Sequence, residues 1–327
     1  MAYSAEVVRR ARQRLESAKA DMESKNHQRL QEAYAKVPRI RQIDMLLRRS
    51  MAAAAQAAFS KGEDAKAAFE QVKQQNLVLQ AERKQLATEH FSEGYLDERT
   101  VCDRCGGSGY VGSTMCTCLQ ELCRQEQKAE LSLLACGEGS FADFKLEYYS
   151  DRPLPQYGAS PRFIMERNLS VCKKFTQNFG DHRGNLLFVG GTGLGMTFLS
   201  ACIARAVADQ GYSVAYETAG HLFSKLEKNR FSPDDQTREQ VDKLSRCDLL
   251  IIDDLGTELP GNFVTAALYT LVNDRLLAGK SMIISTNLNI DEIAKRYSPQ
   301  IASRLQGSFQ GVTFVGEDIR VMKNRGI

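Results

Sequence analysis

Residues 189–200 read VGGTGLGMTFLS, so that an apolar segment runs into a series of glycines and then into helix-forming residues. The spacing from Gly190 through Gly195 to Thr197 fits the phosphate-binding pattern G-x-x-x-x-G-K-[ST], except that Met196 occupies the lysine position. In such a loop the backbone N–H groups point at a phosphate, and the helix N-terminus adds partial positive charge. The residues that we predict to bind a nucleotide here are Gly190, Gly191, Thr192, Gly193, Leu194, Gly195, Met196, Thr197 and Phe198.

From residue 185 onward, apolar strands alternate with helices. The candidate strands are NLLFVGG, SVAYETA, DLLIIDD and SMIISTN, and the segments between them have helical patterns. Continuous apolar strands that are separated by helices are typical of a parallel sheet covered on both faces. We therefore predict an α/β nucleotide-binding domain over residues 161–327, preceded by a linker over residues 126–160.

Two carboxylates follow the third of these strands, in DLLIIDDLGTE. The carboxyl end of this strand should lie beside the phosphate loop, where ligands bind in open α/β sheets. We expect Asp253 to hold Mg²⁺ together with the hydroxyl of Thr197, and Asp254 to orient or deprotonate the attacking water. Glu258 is a secondary candidate for the base.

Four further stretches offer polar side chains to the phosphates of a nucleotide, in this chain or in a neighbouring subunit. Asn287 ends the strand in IISTN, where its amide can bind the γ-phosphate or the lytic water. Arg304, near the end of a short helix in QIASRLQG, is the first candidate for a cation that acts on a neighbouring subunit's nucleotide. Arg275 is another candidate for that cation. Arg320 is a weaker candidate for a second phosphate sensor, because an ordinary surface arginine fits there equally well.

The N-terminal part of the chain has a helical composition. Residues 5–90 are rich in Ala, Gln, Glu, Lys, Arg and Leu, and Pro38 fits the first turn of a new helix. A helix break is expected in SKGEDAK, near Gly62. We predict an antiparallel hairpin or small bundle over residues 1–95, with one face left for a partner. Residues 1–60 hold twelve Lys/Arg against six acids, which favours an acidic or nucleic-acid partner or a solvated helix face.

Five cysteines lie in VCDRCGGSGYVGSTMCTCLQELC. A C-x2-C knuckle with glycines is followed ten residues later by C-x-C, which leaves enough chain for a short hairpin to bring the two pairs together. Four thiolates within tetrahedral reach describe a structural zinc site, so we predict a Zn²⁺ module over residues 96–125 with a role in folding and docking. Cys123 could replace one ligand. The predicted ligands are Cys102, Cys105, Cys116 and Cys118.

The composition excludes several classes of protein. The chain has 327 residues, of which 43% are hydrophobic and 25% charged, and can bury a full core. Its N-terminus carries charges where a secretory segment needs an apolar core, and MAAAAQAAF is too short to span a bilayer. We therefore expect a cytoplasmic protein without a membrane partner. The nine cysteines are an odd number without an export signal, which argues against disulfides.

In combination these motifs resemble those of the bacterial replicative helicase loaders of the DnaC/DnaI type, within the AAA+ ATPases. The shared stretches are KVPRIRQIDMLLRR, YLDERTVCDRCGGSGYV with CTC, FADFKLEYY, GGTGLGMTFLS, DLLIIDDLGTE and STN. The resemblance implies an AAA+ P-loop domain that binds ATP or ADP and single-stranded DNA. It also implies a helical N-terminal region that grips the replicative hexameric helicase, and a homo-oligomeric spiral on that helicase. FADFKLEYY, with Phe144, would form the entry to the adenine pocket within residues 126–160.

Met196 departs from the family's lysine. A hydrogen bond to a charged group is worth roughly 1.5 to 3 kcal/mol, so its loss should weaken nucleotide binding. Turnover should suffer more, because the lysine neutralises charge that develops in the transition state. Since the other motif residues match, we expect one recent or deliberate replacement rather than an old inactive ATPase. Two alternatives remain, namely a helper ATPase of insertion-sequence transposition (IstB type) and a non-enzymatic zinc-stabilised adaptor.

Overall fold

A computed structural model of the chain describes residues 3, 5–59, 63–132, 139–181, 184–232 and 234–324. The chain divides into two compact units. One consists of Gln13–Cys118, and the other consists of Met1–Arg12 with Leu119–Ile327. The finer division into four segments stays a prediction.

The N-terminal part is helical, as predicted. Pro38 begins the second helix, because its fixed φ and missing N–H are tolerated in a first turn. The second and third helices run antiparallel: Arg39 pairs with Glu82 at 2.7 Å, whereas Ser50, further along, meets Asn76 at 2.6 Å. Gly62, the expected break, lies outside the described residues. The three helices are α1 (Ala5–Lys36), α2 (Pro38–Phe59) and α3 (Glu63–His90).

A two-stranded hairpin follows. Strands β1 (Tyr110–Val111) and β2 (Thr114–Met115) pair antiparallel, and Gly112 takes a φ of +61° in the turn between them. A two-residue turn of this kind needs positive φ, which glycine adopts at little cost. The short hairpin expected between the cysteine pairs is therefore confirmed. Helix α4 (Thr117–Ser132) comes next.

The rest of the second unit is a five-stranded sheet with helices, as predicted. All strand pairs are parallel, in the order β4-β5-β6-β3-β7. The elements in chain order are α5 (Pro161–Gln177), β3 (Leu186–Val189), α6 (Met196–Asp209), β4 (Val214–Thr218), α7 (Ala219–Phe231), α8 (Asp235–Arg246), β5 (Leu249–Leu255), α9 (Asn262–Leu277), β6 (Ser281–Thr286), α10 (Ile290–Arg296), α11 (Pro299–Ser308), β7 (Gln310–Thr313) and α12 (Ile319–Asn324).

Alternate residues of the strands enter two hydrophobic clusters, one on each face of the sheet. Phe188 and Ile251 pack with residues of α5 and α6, whereas Leu187 and Ile252 pack with residues of α7 and α9. Because successive side chains of a strand point to opposite faces, a strand that is apolar throughout fills both clusters. Among the described helices, none combines the length and apolar composition that crossing a membrane requires.

The strand order gathers the functional motifs at one edge of the sheet. Strand β6 lies between β3 and β5, and Val189 of β3 is in register with Thr286 of β6. The carboxyl ends of these three strands lead into the phosphate loop, the paired acids and Asn287. Ligands in open α/β sheets bind outside the carboxyl ends of the strands where the order reverses, and β3 is that point here.

Candidate functional site

A cavity of about 420 Å³ lies over the start of α6. It is lined by residues 192–198 of the phosphate loop, by part of FADFKLEYY including Phe144, and by Asp254, Asn287 and Arg320. These groups come from five separated stretches of the sequence, and all of them except Arg320 are leading candidates from the sequence. Gly190 and Gly191 begin the phosphate loop but are not among the residues that line the cavity.

The backbone of the loop is suited to a phosphate. Gly195 precedes α6 with a φ of +92°, and no side chain caps the first turn of the helix. The first N–H groups of a helix lack internal partners and carry partial positive charge, so they favour an anion. Gly190 also has to be glycine, since a Cβ there would lie 2.7 Å from the carbonyl oxygen of Phe314. The observed loop therefore fits the phosphates of a nucleotide.

Met196 is the first residue of α6, as the sequence predicts. It lines the cavity, is only 7% exposed and belongs to the apolar cluster of that face. Its thioether can pack against apolar neighbours, but it carries no charge and no N–H donor. Position 196 consequently fills space in the cavity without contributing a cation.

Aromatic rings form one wall of the cavity. Phe144 stacks on Tyr149 with ring centroids 5.6 Å apart and lies 6.1 Å from the ring of Phe198. Tyr149 is held in place because its hydroxyl donates to the carbonyl oxygen of Leu194 at 2.9 Å. Ser140 caps the turn before Phe144. A flat apolar wall of this kind can stack on a purine base.

The paired acids have different surroundings. Asp253 is 2% exposed and accepts hydrogen bonds from Ser285 Oγ and, at 2.8 Å, from the Tyr216 hydroxyl. Asp254 lines the cavity with a φ of +57°, in the left-handed region that non-glycine residues seldom adopt. Burial and the charge of Asp253 raise the pKa of Asp254, while Arg320 opposes the rise. A raised pKa makes a carboxylate a better proton acceptor.

Thr197 and Asp253 are the residues that could hold Mg²⁺. The Tyr216 hydroxyl donates its hydrogen to Asp253 at 2.8 Å and lies 3.5 Å from the carbonyl oxygen of Thr197, so one side chain contacts both the loop and the buried acid. Hydroxyl and carboxylate oxygens are ligands that Mg²⁺ accepts, usually with several waters. The donor set is therefore suitable for the ion.

Glu258 and Arg304 are not brought to the cavity. Glu258 is buried, and its carboxylate accepts hydrogen bonds from the Tyr297 hydroxyl and from the N–H of Gly256 at 2.9 Å. Arg304, on α11, donates to the Tyr269 hydroxyl at 2.7 Å, and its guanidinium lies 4.9 Å from that ring's centroid. Within this chain, Glu258 is hydrogen-bonded in a structural network, and Arg304 lies outside the lining of the cavity.

The suggestion that Arg275 acts on a neighbouring subunit is wrong. Its side chain is 1% exposed and donates to the carbonyl oxygens of Leu244 and Ser281 at 2.7 Å each. A buried guanidinium with these partners ties α8 to β6, and extracting it would leave the carbonyl groups unpaired. This burial could not be predicted from the sequence, because an arginine in a helix is normally exposed.

Sequence reasoning missed several residues of the cavity. Lys145, Tyr148, Thr257 and Ile319 line it in addition to Tyr149. Lys145, Tyr148 and Tyr149 belong to FADFKLEYY, whose dense aromatic content was the available signal. Arg320, treated as a weak candidate, also lines the cavity and interacts electrostatically with Asp254.

The four predicted zinc ligands form one cluster in the Gln13–Cys118 unit. Their Sγ atoms all lie within 4.8 Å of one another, with 3.8 Å between Cys102 and Cys116 and 3.4 Å between Cys105 and Cys118. Two sulfurs bound tetrahedrally to Zn²⁺ at about 2.3 Å would lie about 3.8 Å apart. The cluster could therefore hold a zinc ion with little adjustment.

The chemistry of the cluster also suits a metal. Burial opposes ionisation of Cys105, but hydrogen bonds from the Gly109 N–H and from neighbouring thiols lower the pKa of its thiol to about 6. The thiolate is the form that binds metal ions. Cys123 is not part of the cluster; it is buried on α4, where burial and the charge of Glu126 raise the pKa of its thiol to about 11.

Comparisons with known proteins agree with the fold and the motifs. Residues 163–303 match the family described as IstB-like ATP binding protein. The replicative helicase loader DnaC of Escherichia coli (strain K12) is 25% identical over 161 residues, which cover 47% of this chain and 65% of the loader. An insertion sequence ATP-binding protein of Sinorhizobium fredii is 31% identical over 103 residues, 32% of this chain and 34% of that protein.

The chain thus covers just under two thirds of the length of the loader it matches. Among solved structures, a crystal structure of the DnaC helicase loader has a TM-score of 0.44 and 19% identity, covering 54% of this chain and 98% of that one. The phosphate loop, the paired acids and Asn287 meet at the carboxyl edge of a parallel sheet inside the matched range. Residues 163–303 therefore form an IstB/DnaC-like AAA+ domain.

Proposed function

We propose that this chain is an ATP-dependent loader that binds the replicative DNA helicase and helps to place it on single-stranded DNA during replication initiation. The observation that carries the proposal is the cavity in which the phosphate loop, an aromatic wall, Asp254 and Asn287 meet. The similarity to DnaC of Escherichia coli supports the assignment of this AAA+ domain to loading. The chain would act in the cytoplasm, as a homo-oligomer.

In this proposal ATP or ADP binds with its phosphates over the glycine loop and its base against Phe144 and Phe198. Thr197 and Asp253 would hold Mg²⁺, which supplies charge neutralisation for the phosphate oxygens. Asp254 would orient the attacking water and accept its proton, and Asn287 would bind the γ-phosphate or that water. Arg304 would act on the nucleotide of a neighbouring copy, where a cation stabilises charge in the transition state.

Turnover is proposed to be impaired. Without lysine at position 196, the charge that develops on the phosphates during transfer loses a neutralising partner. The glycine N–H groups, the helix N-terminus and Mg²⁺ still interact with the phosphates of bound ATP before transfer begins. The missing lysine should therefore weaken ATP binding less than it slows ATP hydrolysis. The chain would therefore be an AAA+ ATPase by family with little hydrolysis of its own.

An exposed aromatic cluster supports the proposal of a single-stranded DNA partner. Phe231 at the end of α7 is 68% exposed and lies 6.4 Å from the ring of Phe263 at the start of α9. The guanidinium of Arg230 lies 5.5 Å and 5.6 Å from the two ring centroids. An exposed ring and a half-buried ring beside a cation are suited to stacking on unpaired bases next to a phosphate backbone. We refer to these three residues as the aromatic cluster.

The helical region is the proposed contact with the hexameric helicase. Its helices α2 and α3 expose Met45, Leu46, Leu77 and Val78. Exposed apolar side chains among basic residues are suited to a protein surface that is partly apolar and partly acidic. The zinc cluster would fix the fold of the same unit, because a structural metal site contributes directly to folding.

The main alternative is a helper ATPase of insertion-sequence transposition. The match of residues 163–303 to the IstB-like family and the 31% identity to the Sinorhizobium fredii protein favour it. A non-enzymatic zinc-stabilised adaptor is favoured by Met196 alone. Asp254 and Asn287 in the lining of the cavity, with Asp253 buried beside Asp254, fit a nucleotide-responsive protein better than a passive adaptor.

A loading assay on closed circular single-stranded DNA tests the proposal. A ring-shaped helicase cannot thread onto a circle without free ends, so loading there depends on a protein that opens or assembles the ring. We expect this chain, with ATP and Mg²⁺, to increase the helicase retained on circles after gel filtration, and to have less effect on linear strands. Absence of retention, together with ATP-dependent filaments on duplex DNA, would instead support the transposition helper.

A further inference from the structure

The nucleotide cavity contains a lysine that the phosphate-loop motif does not specify. Lys145 lines the cavity together with Met196 and Arg320. Arg320 already interacts electrostatically with the carboxylate of Asp254. Lys145 is thus the cation in this lining that does not face a proposed catalytic acid.

Asp143, an acid two residues from Lys145, is hydrogen-bonded to Ser140. Asp143 interacts electrostatically with Lys145, and its Oδ2 accepts hydrogen bonds from the N–H of Ser140 at 2.7 Å and from the Oγ of Ser140 at 2.8 Å. These bonds close the capping box of the turn over residues 141–143. Within the described part of the chain, no group is hydrogen-bonded to the ammonium of Lys145, whose side chain is exposed.

The residues around Lys145 hold its backbone beside the phosphate loop. The ring of Phe144 is so near to Gly195 that a Cβ there would lie 3.2 Å from it. On the other side, the Tyr149 hydroxyl donates to the carbonyl oxygen of Leu194. Lys145 is therefore anchored on both sides against the end of the loop where α6 begins, and a lysine reaches outward on a flexible four-carbon stem.

We infer that Lys145 supplies to the phosphates of bound ATP a positive charge that Met196 does not. The inference rests on the proposed ATP site. An ammonium is a compact point charge with three donors, which suits phosphate oxygens from a range of directions. A lysine at position 196 would lie on the phosphate loop, whereas Lys145 lies on a different segment of the chain. Lys145 therefore strengthens ATP binding without making the contact by which a loop lysine promotes phosphoryl transfer.

The test measures binding of ATP with Mg²⁺ and of adenosine to the full chain by isothermal titration calorimetry. Lys145→Met is compared with Lys145→Arg and with Lys173→Met, which removes an exposed lysine of α5 outside the cavity lining. We expect Lys145→Met to weaken ATP binding by about tenfold, since a charge-assisted hydrogen bond is lost. Adenosine binding should not change, and the other two variants should bind ATP like the wild type.

A second background makes the test specific. In the Met196→Lys chain, the loop has its own cation, so Lys145→Met should weaken ATP binding much less than in the wild type. An equal loss in both backgrounds, an equal loss for adenosine, or no difference from Lys173→Met would each overturn the inference. If neither the wild type nor Met196→Lys binds ATP at all, the proposed nucleotide site itself fails, which is a separate outcome.

Discussion

Met196 is the first residue of α6, and its thioether stands where the phosphate-binding motif has the ammonium of a lysine. The other residues of the loop match the motif, and most of them line the cavity. We expect Met196→Lys to tighten the binding of ATP with Mg²⁺ by about ten- to 150-fold, the value of a hydrogen bond to a charged group. Calorimetric titration of the two proteins gives the comparison. Met196→Leu keeps an uncharged side chain of similar size and should bind like the wild type; tighter binding by that variant would contradict the electrostatic explanation.

The two candidate bases can be separated in the Met196→Lys background, where we expect turnover to be measurable. Asp254→Asn should reduce phosphate release by about 100-fold or more, since general base catalysis contributes about that factor, while ATP binding remains. Glu258→Gln should retain turnover, because the carboxylate of Glu258 lies in a network with Tyr297 and Gly256. Loss of turnover in a folded Glu258→Gln protein, with Asp254→Asn active, would reverse the assignment.

The raised pKa of Asp254 has a consequence for stability. A carboxyl with a raised pKa contributes stability below the ordinary aspartate pKa of about 3.9, and that contribution is lost as the pH rises through the raised value. At pH 7 the ionised Asp254 therefore destabilises the fold relative to a neutral side chain. We expect Asp254→Asn to raise the Tm at pH 7 and to change it little near pH 3.5, as measured by differential scanning fluorimetry. A lower Tm at pH 7 would contradict the direction of the shift.

Individual residues were predictable where a motif fixes both type and spacing. Asp254, Asn287 and the loop follow strands whose ends meet at one edge, so their convergence could be predicted. The burial of Arg275 could not be predicted from the sequence, because it depends on carbonyl groups of α8 and β6 that come near the side chain only in the folded chain. Lys145 was missed for a similar reason, since its place in the cavity depends on how Phe144 and Tyr149 pack.

Among the elements, the cysteine hairpin makes the clearest prediction. We expect the purified chain to bind one zinc ion, and the double change Cys102→Ser and Cys105→Ser to abolish it, because two of four ligands are lost. Metal content by mass spectrometry and helicity by circular dichroism would measure the effect. Cys123→Ala is the matched control and should keep the ion; loss of zinc from that variant alone would show that the ligand set is different.

The aromatic cluster at the ends of α7 and α9 makes a prediction about DNA. Phe231→Ala should weaken binding of an oligothymidylate by roughly 1 to 3 kcal/mol, the value of one stacked base. Fluorescence anisotropy with labelled oligonucleotide measures this change. Phe163→Ala removes another exposed phenylalanine, on α5, and should leave binding unaltered. Equal effects of the two changes would remove the reason for assigning DNA to the cluster.

The elements themselves were predictable in proportion to their apolar content. Strands β3, β4, β5 and β6 are apolar runs, and each was expected from the sequence. Strand β7 was not, because its four residues Gln310–Thr313 include one buried side chain and a glycine. Such a strand forms because its edge position beside β3 satisfies backbone hydrogen bonds, which is a property of the assembled sheet rather than of the segment.

At the scale of the whole molecule, the sequence predicted a parallel α/β domain, an all-helical N-terminal region and a cysteine hairpin, and the structure contains all three. Hydrophobic periodicity determines such classes because it dictates which faces must be buried. The arrangement of copies on a helicase is a different matter. It depends on surfaces such as those of α2 and α3, whose exposed apolar residues would be covered in the proposed complex, so the arrangement stays a proposal.

The most direct test of the proposed helicase-loading role is the mass of the complex that this chain forms with a bacterial replicative hexameric helicase. Native mass spectrometry with ATP and Mg²⁺ would compare the wild type with Met196→Lys, using Met196→Leu as the control. We predict a complex of one helicase hexamer with several copies of this chain, and higher occupancy at the same concentrations for Met196→Lys because it binds ATP more tightly. Helicase hexamers that remain free with every variant, while the chain forms filaments on duplex DNA, would show that the chain is not a helicase loader.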